Sequence, residues 1–223
     1  MPSKKLMGCW AFVDVCLLTA GILTLVLSIV WRAPDLMRNL VISNSDLTAG
    51  LVLGIAFLVT WAVSVGAIIQ PNHVTVGLMI LNWILLLDGI GVLCIGTFIW
   101  FYTLRERAEF HDVFAVQSDA IKIQIQDKFS CCGYFNSSDL AVIGGNFCAN
   151  QSAIDQAGTN NATCVGPITG FADYALNNIF TSIYGYMAIV ICLFLLSLCV
   201  INKRNEEERF RKIDEKRGGR GFV

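Results

Sequence analysis

The sequence predicts an all-α membrane protein with four transmembrane helices and a disulfide-stabilised, mainly helical large extracellular loop. Of its 223 residues, 55% are apolar and the mean hydropathy is +0.63, whereas soluble domains are about 45–50% apolar. Four apolar runs are each about 20 residues long, which is enough to cross a hydrocarbon core as a helix. Between the third and fourth runs lies one long connection that contains a cluster of cysteines and glycosylation triplets.

The four apolar runs divide the chain into nine segments. We predict membrane spans at residues 9–30, 50–69, 74–102 and 182–201. The remaining segments are the termini, 1–8 and 202–223, and the connections 31–49, 70–73 and 103–181. The first run exceeds the apolar core of a signal peptide and lacks a small-x-small cleavage site before Trp31, so we interpret it as an uncleaved helix.

Lysine and arginine predict the orientation of the spans, because they are in excess on cytosolic flanks. The net charge of −1 says little, but positive residues concentrate near both ends of the chain. They are Lys4, Lys5, Lys203, Arg204, Arg209, Arg211, Lys212, Lys216, Arg217 and Arg220. We therefore expect both termini in the cytosol, and connections 31–49 and 103–181 on the outer face of a plasma membrane or endomembrane.

Two features of the long connection agree with this orientation. Asn136, Asn150 and Asn161 each begin an N-x-Ser/Thr triplet, the acceptor for N-glycosylation in secretory compartments. The second feature is a set of four cysteines, an even number in a compartment that oxidises thiols. They are Cys131, Cys132, Cys148 and Cys164.

Four cysteines allow three disulfide pairings. Adjacent residues bridge only with strain, so Cys131 and Cys132 are expected to reach different partners, and two pairings remain open.

The rest of the long connection is predicted in two parts. Residues 105–129 space their apolar side chains as one face of a helix, which would continue outward from the third span as a stalk. The alternation from Ile121 to Ile125 also fits a strand. Residues 144–166 are rich in Gly, Asn, Thr and Ser without periodicity, so they predict irregular structure held by disulfides and a recognition surface.

The motif Cys131-Cys132-Gly133, in the large outer loop of a four-span chain, resembles the Cys-Cys-Gly motif of the tetraspanin family. Gln126 and Phe129 precede it at the family's spacing. Because span number, loop sizes and orientation match as well, the resemblance covers nearly the whole chain.

The sequence after this motif is also similar to the family, with some departures. Asn136-Ser-Ser-Asp139-Leu140 is similar to the family's Asn-Tyr-x-Asp-Trp, with Leu in place of Trp. Thr163, and not Gly, precedes Cys164. The short chain is similar to fungal tetraspanins linked to host penetration, and the resemblance implies that process as a setting.

The resemblance implies several properties that the residues alone do not. The pairings would be Cys131 with Cys164 and Cys132 with Cys148. The chain would associate laterally with other integral membrane proteins and with copies of itself, and membrane lipid or a sterol is a further candidate partner. Cys9 and Cys199, which lie at cytosolic span ends where S-acylation happens, would be palmitoylated.

Three polar residues lie inside predicted spans: Asp14, Asn82 and Asp88. An acidic group there costs about 2.5–3.5 kcal/mol on insertion scales, so each should face a neighbouring helix. Asp14 and Asn82 lie at similar depths and are expected to share a hydrogen bond. Asp88 matches the position where tetraspanins carry Glu or Gln.

Small residues predict close helix packing within the membrane. The clearest pattern is Gly50-x-x-x-Gly54, which we interpret as packing within the chain, with a dimer face as the alternative.

No pattern in the sequence indicates catalysis. There is no nucleophile with a base, His73 and His111 are far apart, and there is no phosphate loop, so we expect no enzyme activity, metal, cofactor or nucleic-acid partner. The expected function is a tetraspanin scaffold that organises membrane microdomains. The alternative is a small four-helix transporter or proton-conducting protein that uses Asp14, Asn82 and Asp88.

Overall fold

The computed structural model describes residues 4–70 and 75–216, which fold into eight α-helices without a β-strand. The helices are α1 (Lys4–Val30), α2 (Leu36–Val41), α3 (Asn44–Ile69), α4 (Val76–Leu104), α5 (Glu106–Val116), α6 (Asp119–Phe129), α7 (Gln151–Thr159) and α8 (Val165–Lys216). Four of them, α1, α3, α4 and α8, are long and apolar enough to cross a membrane. By helix length and composition the chain is a multi-pass membrane protein.

The long helices extend beyond the predicted spans, because hydropathy marks an apolar stretch and not the end of a helix. α3 begins at Asn44, before the span predicted at 50, and a local motif explains why. The Ser43 hydroxyl accepts a hydrogen bond from the Asp46 backbone N–H (3.2 Å), while the Asp46 carboxylate accepts one from the Ser43 N–H (3.0 Å). This reciprocal pair is a capping box, which fixes the helix start.

Some predictions lie outside the described residues. They concern residues 1–3, most of the connection 70–73 with His73, and the end of the tail at 217–223 with Arg217 and Arg220.

The chain divides into two compact units. The first, which we call the bundle unit, comprises the described residues within 1–29, 48–95 and 183–223. The second, the disulfide unit, comprises residues 30–47 and 96–182.

Small residues bring α1 and α3 into close contact in the bundle unit. A Cβ atom added to Gly54 would lie 2.9 Å from the backbone nitrogen of Leu25, and one added to Gly50 would lie 2.6 Å from the Ser28 hydroxyl oxygen. Only glycine permits such an approach of two helix backbones. The Gly50-x-x-x-Gly54 pattern therefore packs within the chain, as predicted.

The disulfide unit has an aromatic core. Phe110, Phe114, Ile125 and Tyr134 are fully buried in it. Other elements complete the same cluster with Met37, Leu40, Val41, Ile168, Ala172 and Leu176. Burial of side chains of this size contributes about 1.5–3 kcal/mol each, so this unit has a core of the kind found in soluble domains.

The stretch 105–129 is helical and not a strand, but the prediction of one continuous stalk was wrong. A turn at Arg105 separates α4 from α5, and a break at 117–118 separates α5 from α6. The Lys122 ammonium of α6 donates a hydrogen bond to the Ala115 carbonyl (3.1 Å), so a carbonyl at the end of α5 is satisfied from the next helix. The apolar spacing is the same on both sides of the break and does not reveal it.

The prediction of irregular structure over 144–166 was also wrong in part. It contains α7, whose N-cap is Asn150: its side-chain oxygen accepts a hydrogen bond from the Ala153 N–H (2.8 Å). α7 buries only Ile154 and Ala157, against the Cys132–Cys148 region. Two buried apolar positions are too few for periodicity to indicate a helix.

Candidate interaction unit and buried polar groups

Two disulfides hold the disulfide unit together. Cys131 is bonded to Cys164, with Cα atoms 5.0 Å apart, and Cys132 to Cys148, with Cα atoms 6.0 Å apart. These are the two pairs that the resemblance implied. The residues alone left two pairings open, and the structure contains the pairing of Cys131 with Cys164 and Cys132 with Cys148.

Gly133 makes a tight turn directly after the two adjacent cysteines. Its φ of 69° lies in the left-handed region, and a Cβ atom there would lie 2.8 Å from the carbonyl carbon of Ser137. A side chain is therefore excluded by both strain and space. The Gly133 carbonyl accepts a hydrogen bond from the Cys164 N–H (3.0 Å), which ties the turn to the start of α8.

His111 joins α5 to the segment that follows the Cys-Cys-Gly motif. Its Nε2 lies 3.4 Å from a carboxylate oxygen of Asp139, and its ring stacks on Phe135 with centroids 5.1 Å apart. The adjacent Tyr134 hydroxyl donates a hydrogen bond to the Arg107 carbonyl of α5 (3.1 Å). Sequence reasoning considered His111 only as a metal ligand and missed this contact, because the partner is 28 residues away in the chain.

The three glycosylation triplets are accessible. Asn136, Asn150 and Asn161 are all exposed on the disulfide unit. The Asn150 side chain is also the N-cap of α7, and it uses its oxygen for this purpose. Its amide nitrogen, the atom to which an N-glycan is attached, is not the atom that caps the helix.

The predicted hydrogen bond between Asp14 and Asn82 does not form, because each faces a different helix. Asn82 pairs with Ser197 of α8. Asp14 is buried near Ser64 of α3, and its Oδ1 has no hydrogen-bond partner within the described part of the chain. Equal depth in the membrane did not place the two side chains on facing sides of their helices.

Asp88 is buried and joins α4 to α3. Its Oδ2 lies 2.6 Å from the Thr60 hydroxyl oxygen, which lies 2.9 Å from the Ala56 carbonyl. A hydroxyl has one hydrogen to donate. The Thr60 hydroxyl is therefore shared between an acceptor in its own helix, the Ala56 carbonyl, and one in the neighbouring helix, the Asp88 carboxyl group.

The cysteines outside the disulfides are Cys9, Cys16, Cys94, Cys192 and Cys199. Cys9 and Cys199, the two predicted acylation sites, are exposed, so the rest of the described chain does not cover either residue. Cys94 and Cys192 are exposed as well, although they lie deeper within apolar segments.

Among the described residues, no group of three or more His, Cys, Asp or Glu side chains is placed to hold a metal ion. Comparison with protein-family models, curated proteins and solved structures gives no match.

Proposed function

We propose that this chain is a tetraspanin-type membrane scaffold, with the fungal host-penetration type as its nearest functional setting. The observation that carries the proposal is the disulfide unit. Its Cys-Cys-Gly turn is built around Gly133 and two disulfides, and it lies in the chain between the third and fourth apolar helices. A folded, disulfide-linked unit in a chain with four apolar helices suits partner recognition more than chemistry.

In this proposal the two units have different tasks. The helices of the bundle unit expose large apolar side chains such as Phe12, Trp83 and Leu87, which contact lipid or the helices of partner proteins. The disulfide unit selects partners on the outer face, and both termini lie in the cytosol. Acylation of Cys9 and Cys199 holds the chain in lipid microdomains.

Crosslinking of the full chain in native membranes, followed by purification in a mild detergent, tests the scaffold proposal. Other integral membrane proteins should copurify with the wild type, and two differently tagged copies should copurify with each other. The double variant Cys132→Ser, Cys148→Ser should lose partners selected by the disulfide unit while keeping bundle contacts. A wild-type chain recovered alone after crosslinking would contradict the scaffold.

Labelling with an alkyne analogue of palmitate tests the acylation. Cys9→Ser and Cys199→Ser should each lower the label, whereas the matched variants Cys94→Ser and Cys192→Ser should not, because those thiols lie deeper in apolar segments. A label that persists in the Cys9→Ser, Cys199→Ser double variant would remove this part of the proposal.

Transport through Asp14, Asn82 and Asp88 is the second candidate, and one observation favours it. The Oδ1 atom of Asp14 is buried without a partner in the described chain, a place where an ion or proton could bind. Asn82 and Asp88, however, are occupied by Ser197 and Thr60. Flux in reconstituted vesicles that disappears in Asp88→Asn would favour transport over the scaffold.

A further inference from the structure

The disulfide unit contains a groove between the end of α4 and the first half of α8. It encloses about 490 Å³ and is open to one side. Its lining residues are Trp100, Thr103, Asp173, Tyr174, Asn177 and Phe180. Neither the disulfides nor the buried polar groups of the bundle unit take part in it.

The groove is acidic at one end. The Asp173 carboxyl group is hydrogen-bonded to the carboxyl group of Glu106, in the first turn of α5. Burial and the neighbouring Asp173 raise the pKa of Glu106 to about 7, against the weaker effect of Arg107, which lowers it. Two carboxyl groups from different helices therefore lie together at this groove.

The same groove is lined by aromatic rings that are open to ligand. Tyr174 is 74% exposed and Trp100 is 48% exposed. An aromatic ring attracts a cation to its face, and quaternary ammonium groups are a common ligand of sites that combine several rings. Asp173, which lines the same groove, supplies an acidic group for the cation.

The position of the groove along the chain indicates where the ligand comes from. Trp100 lies in the last turns of the apolar helix α4, beside Phe101 and Tyr102, and charged residues follow from Arg105. Aromatic residues of this kind are typical of the level of lipid headgroups. The groove therefore meets headgroups at high local concentration.

We propose that this groove binds the ammonium headgroup of a zwitterionic phospholipid, of the choline or ethanolamine type. The headgroup cation lies against the rings of Trp100 and Tyr174, and the carboxylate of Asp173 offsets its charge. The amide of Asn177 is an uncharged polar group available to the phosphate, whereas the Thr103 hydroxyl already donates its hydrogen to the Trp100 carbonyl (2.7 Å). A lipid with a net negative charge and no ammonium group is disfavoured by the carboxyl pair.

Binding of short-chain lipids to the full-length protein in an uncharged detergent tests this proposal, with bound lipid measured by native mass spectrometry. The wild type should bind dihexanoyl phosphatidylcholine at least about fivefold more tightly than dihexanoyl phosphatidylglycerol, which has the same acyl chains and no cation. Tetramethylammonium chloride should displace phosphatidylcholine from the wild type more effectively than sodium chloride at equal ionic strength. Equal affinity for the two lipids, or equal displacement by the two salts, overturns the proposal.

Matched variants locate the site. Trp100→Leu and Asp173→Asn should each weaken phosphatidylcholine binding by about fivefold. Trp83→Leu, another exposed tryptophan of α4, and Asp155→Asn, an exposed aspartate of α7, should leave it unchanged. If Trp100→Leu and Trp83→Leu bind alike, the groove is not the site.

A third arm distinguishes a membrane lipid from a soluble ligand. Phosphocholine without acyl chains should bind at least about tenfold more weakly than the short-chain lipid, because it cannot bury apolar surface. Equal binding of the two compounds would assign the groove to a soluble ammonium compound and overturn the lipid assignment. None of these results depends on whether the chain acts as a scaffold.

Discussion

The two units of this chain are stabilised in opposite ways. The disulfide unit buries large side chains such as Phe110 and Tyr134 around two covalent links, as a small secreted domain does. In the bundle unit glycines and single polar contacts make the close helix packing, while side chains as large as Trp83 remain exposed. The difference shows what the surroundings demand: apolar surface must be hidden from water, but in lipid it need not be, and close packing takes its place.

Loss of the longer disulfide should give the largest effect, confined to the disulfide unit. The Cys131–Cys164 link joins residues 33 apart in sequence and the Cys132–Cys148 link residues 16 apart. Loop closure predicts stabilisation of about 4 and about 3 kcal/mol, respectively. Hydrogen exchange measured by mass spectrometry should rise over 106–164 in Cys131→Ser, Cys164→Ser.

The same experiment contains its own control in the bundle unit. Hydrogen exchange over 50–69 should not change in Cys131→Ser, Cys164→Ser. It should also not change in Cys132→Ser, Cys148→Ser, which lacks the shorter disulfide. If both units lose protection together, the contrast between them is wrong. If neither does, the disulfides do not support the fold.

A methyl group at a helix contact should give the second largest effect, confined to the bundle unit. Gly54→Ala should destabilise it by about 1–3 kcal/mol, because the new Cβ atom meets the backbone of Leu25. Gly66→Ala on the same helix is the matched control: no atom lies within 4 Å, so the gain in helix propensity should leave it neutral or slightly more stable. Unfolding from mixed micelles with increasing dodecyl sulfate measures both, and equal stability of the two variants would contradict the packing.

The hydrogen bond between Thr60 and Asp88 should contribute less. Thr60→Val should destabilise the bundle unit by about 0.6 kcal/mol, the average for hydrogen bonds between membrane helices, and by no more than the maximum of about 1.7 kcal/mol. Asp88→Asn should be tolerated better, since the amide oxygen can accept the same hydrogen bond from the Thr60 hydroxyl. Thr24→Val is the control, because the Thr24 hydroxyl donates to the Ala20 carbonyl of its own helix. If Thr24→Val loses as much stability as Thr60→Val, the interhelical link does not contribute as proposed.

The smallest expected effect is a pH dependence of the disulfide unit. The pKa of Glu106 is raised from 4.5 to about 7, first by burial and then by Asp173. The folded state therefore holds this proton more tightly than the unfolded chain, so stability falls as pH rises through the window from 4.5 to about 7.

The isosteric variant Glu106→Gln isolates this effect. It should melt a few degrees above the wild type at about pH 8 and at the same temperature below about pH 4. Glu109→Gln, on the same helix and outside the carboxyl pair, should not show that difference. Thermal unfolding followed by near-ultraviolet circular dichroism measures the three chains, and an unchanged pH profile in Glu106→Gln would exclude the shared proton.

Features that depend on neighbouring residues in the sequence could be predicted, and those that depend on facing side chains could not. Hydropathy located the four apolar helices, and the Gly50-x-x-x-Gly54 spacing indicated a contact inside the chain. The partner of Asn82 could not be predicted, because the rotation of a nearly uniformly apolar helix about its axis leaves little trace in sequence. The Glu106–Asp173 pair joins residues 67 positions apart, and no local pattern connects them.

Between these extremes, α7 was missed although a signal was present. Asn150 followed by Ser152 was interpreted only as a glycosylation triplet, but an asparagine before a short helix is also a common N-cap. Asn150 belongs both to a glycosylation triplet and to a helix N-cap, and only the triplet was predicted.

That double role of Asn150 decides how the predicted glycosylation at this position must be tested. Replacement of the asparagine would remove the predicted glycan acceptor and also the cap of α7, whose loss costs about 1 kcal/mol. A defect in that variant would therefore not identify which of the two losses caused it. Ser152→Ala abolishes the acceptor triplet but leaves the bond from the Ala153 N–H to the Asn150 oxygen in place. An unglycosylated but correctly capped protein can thus be made by changing the third residue of the triplet in place of the first.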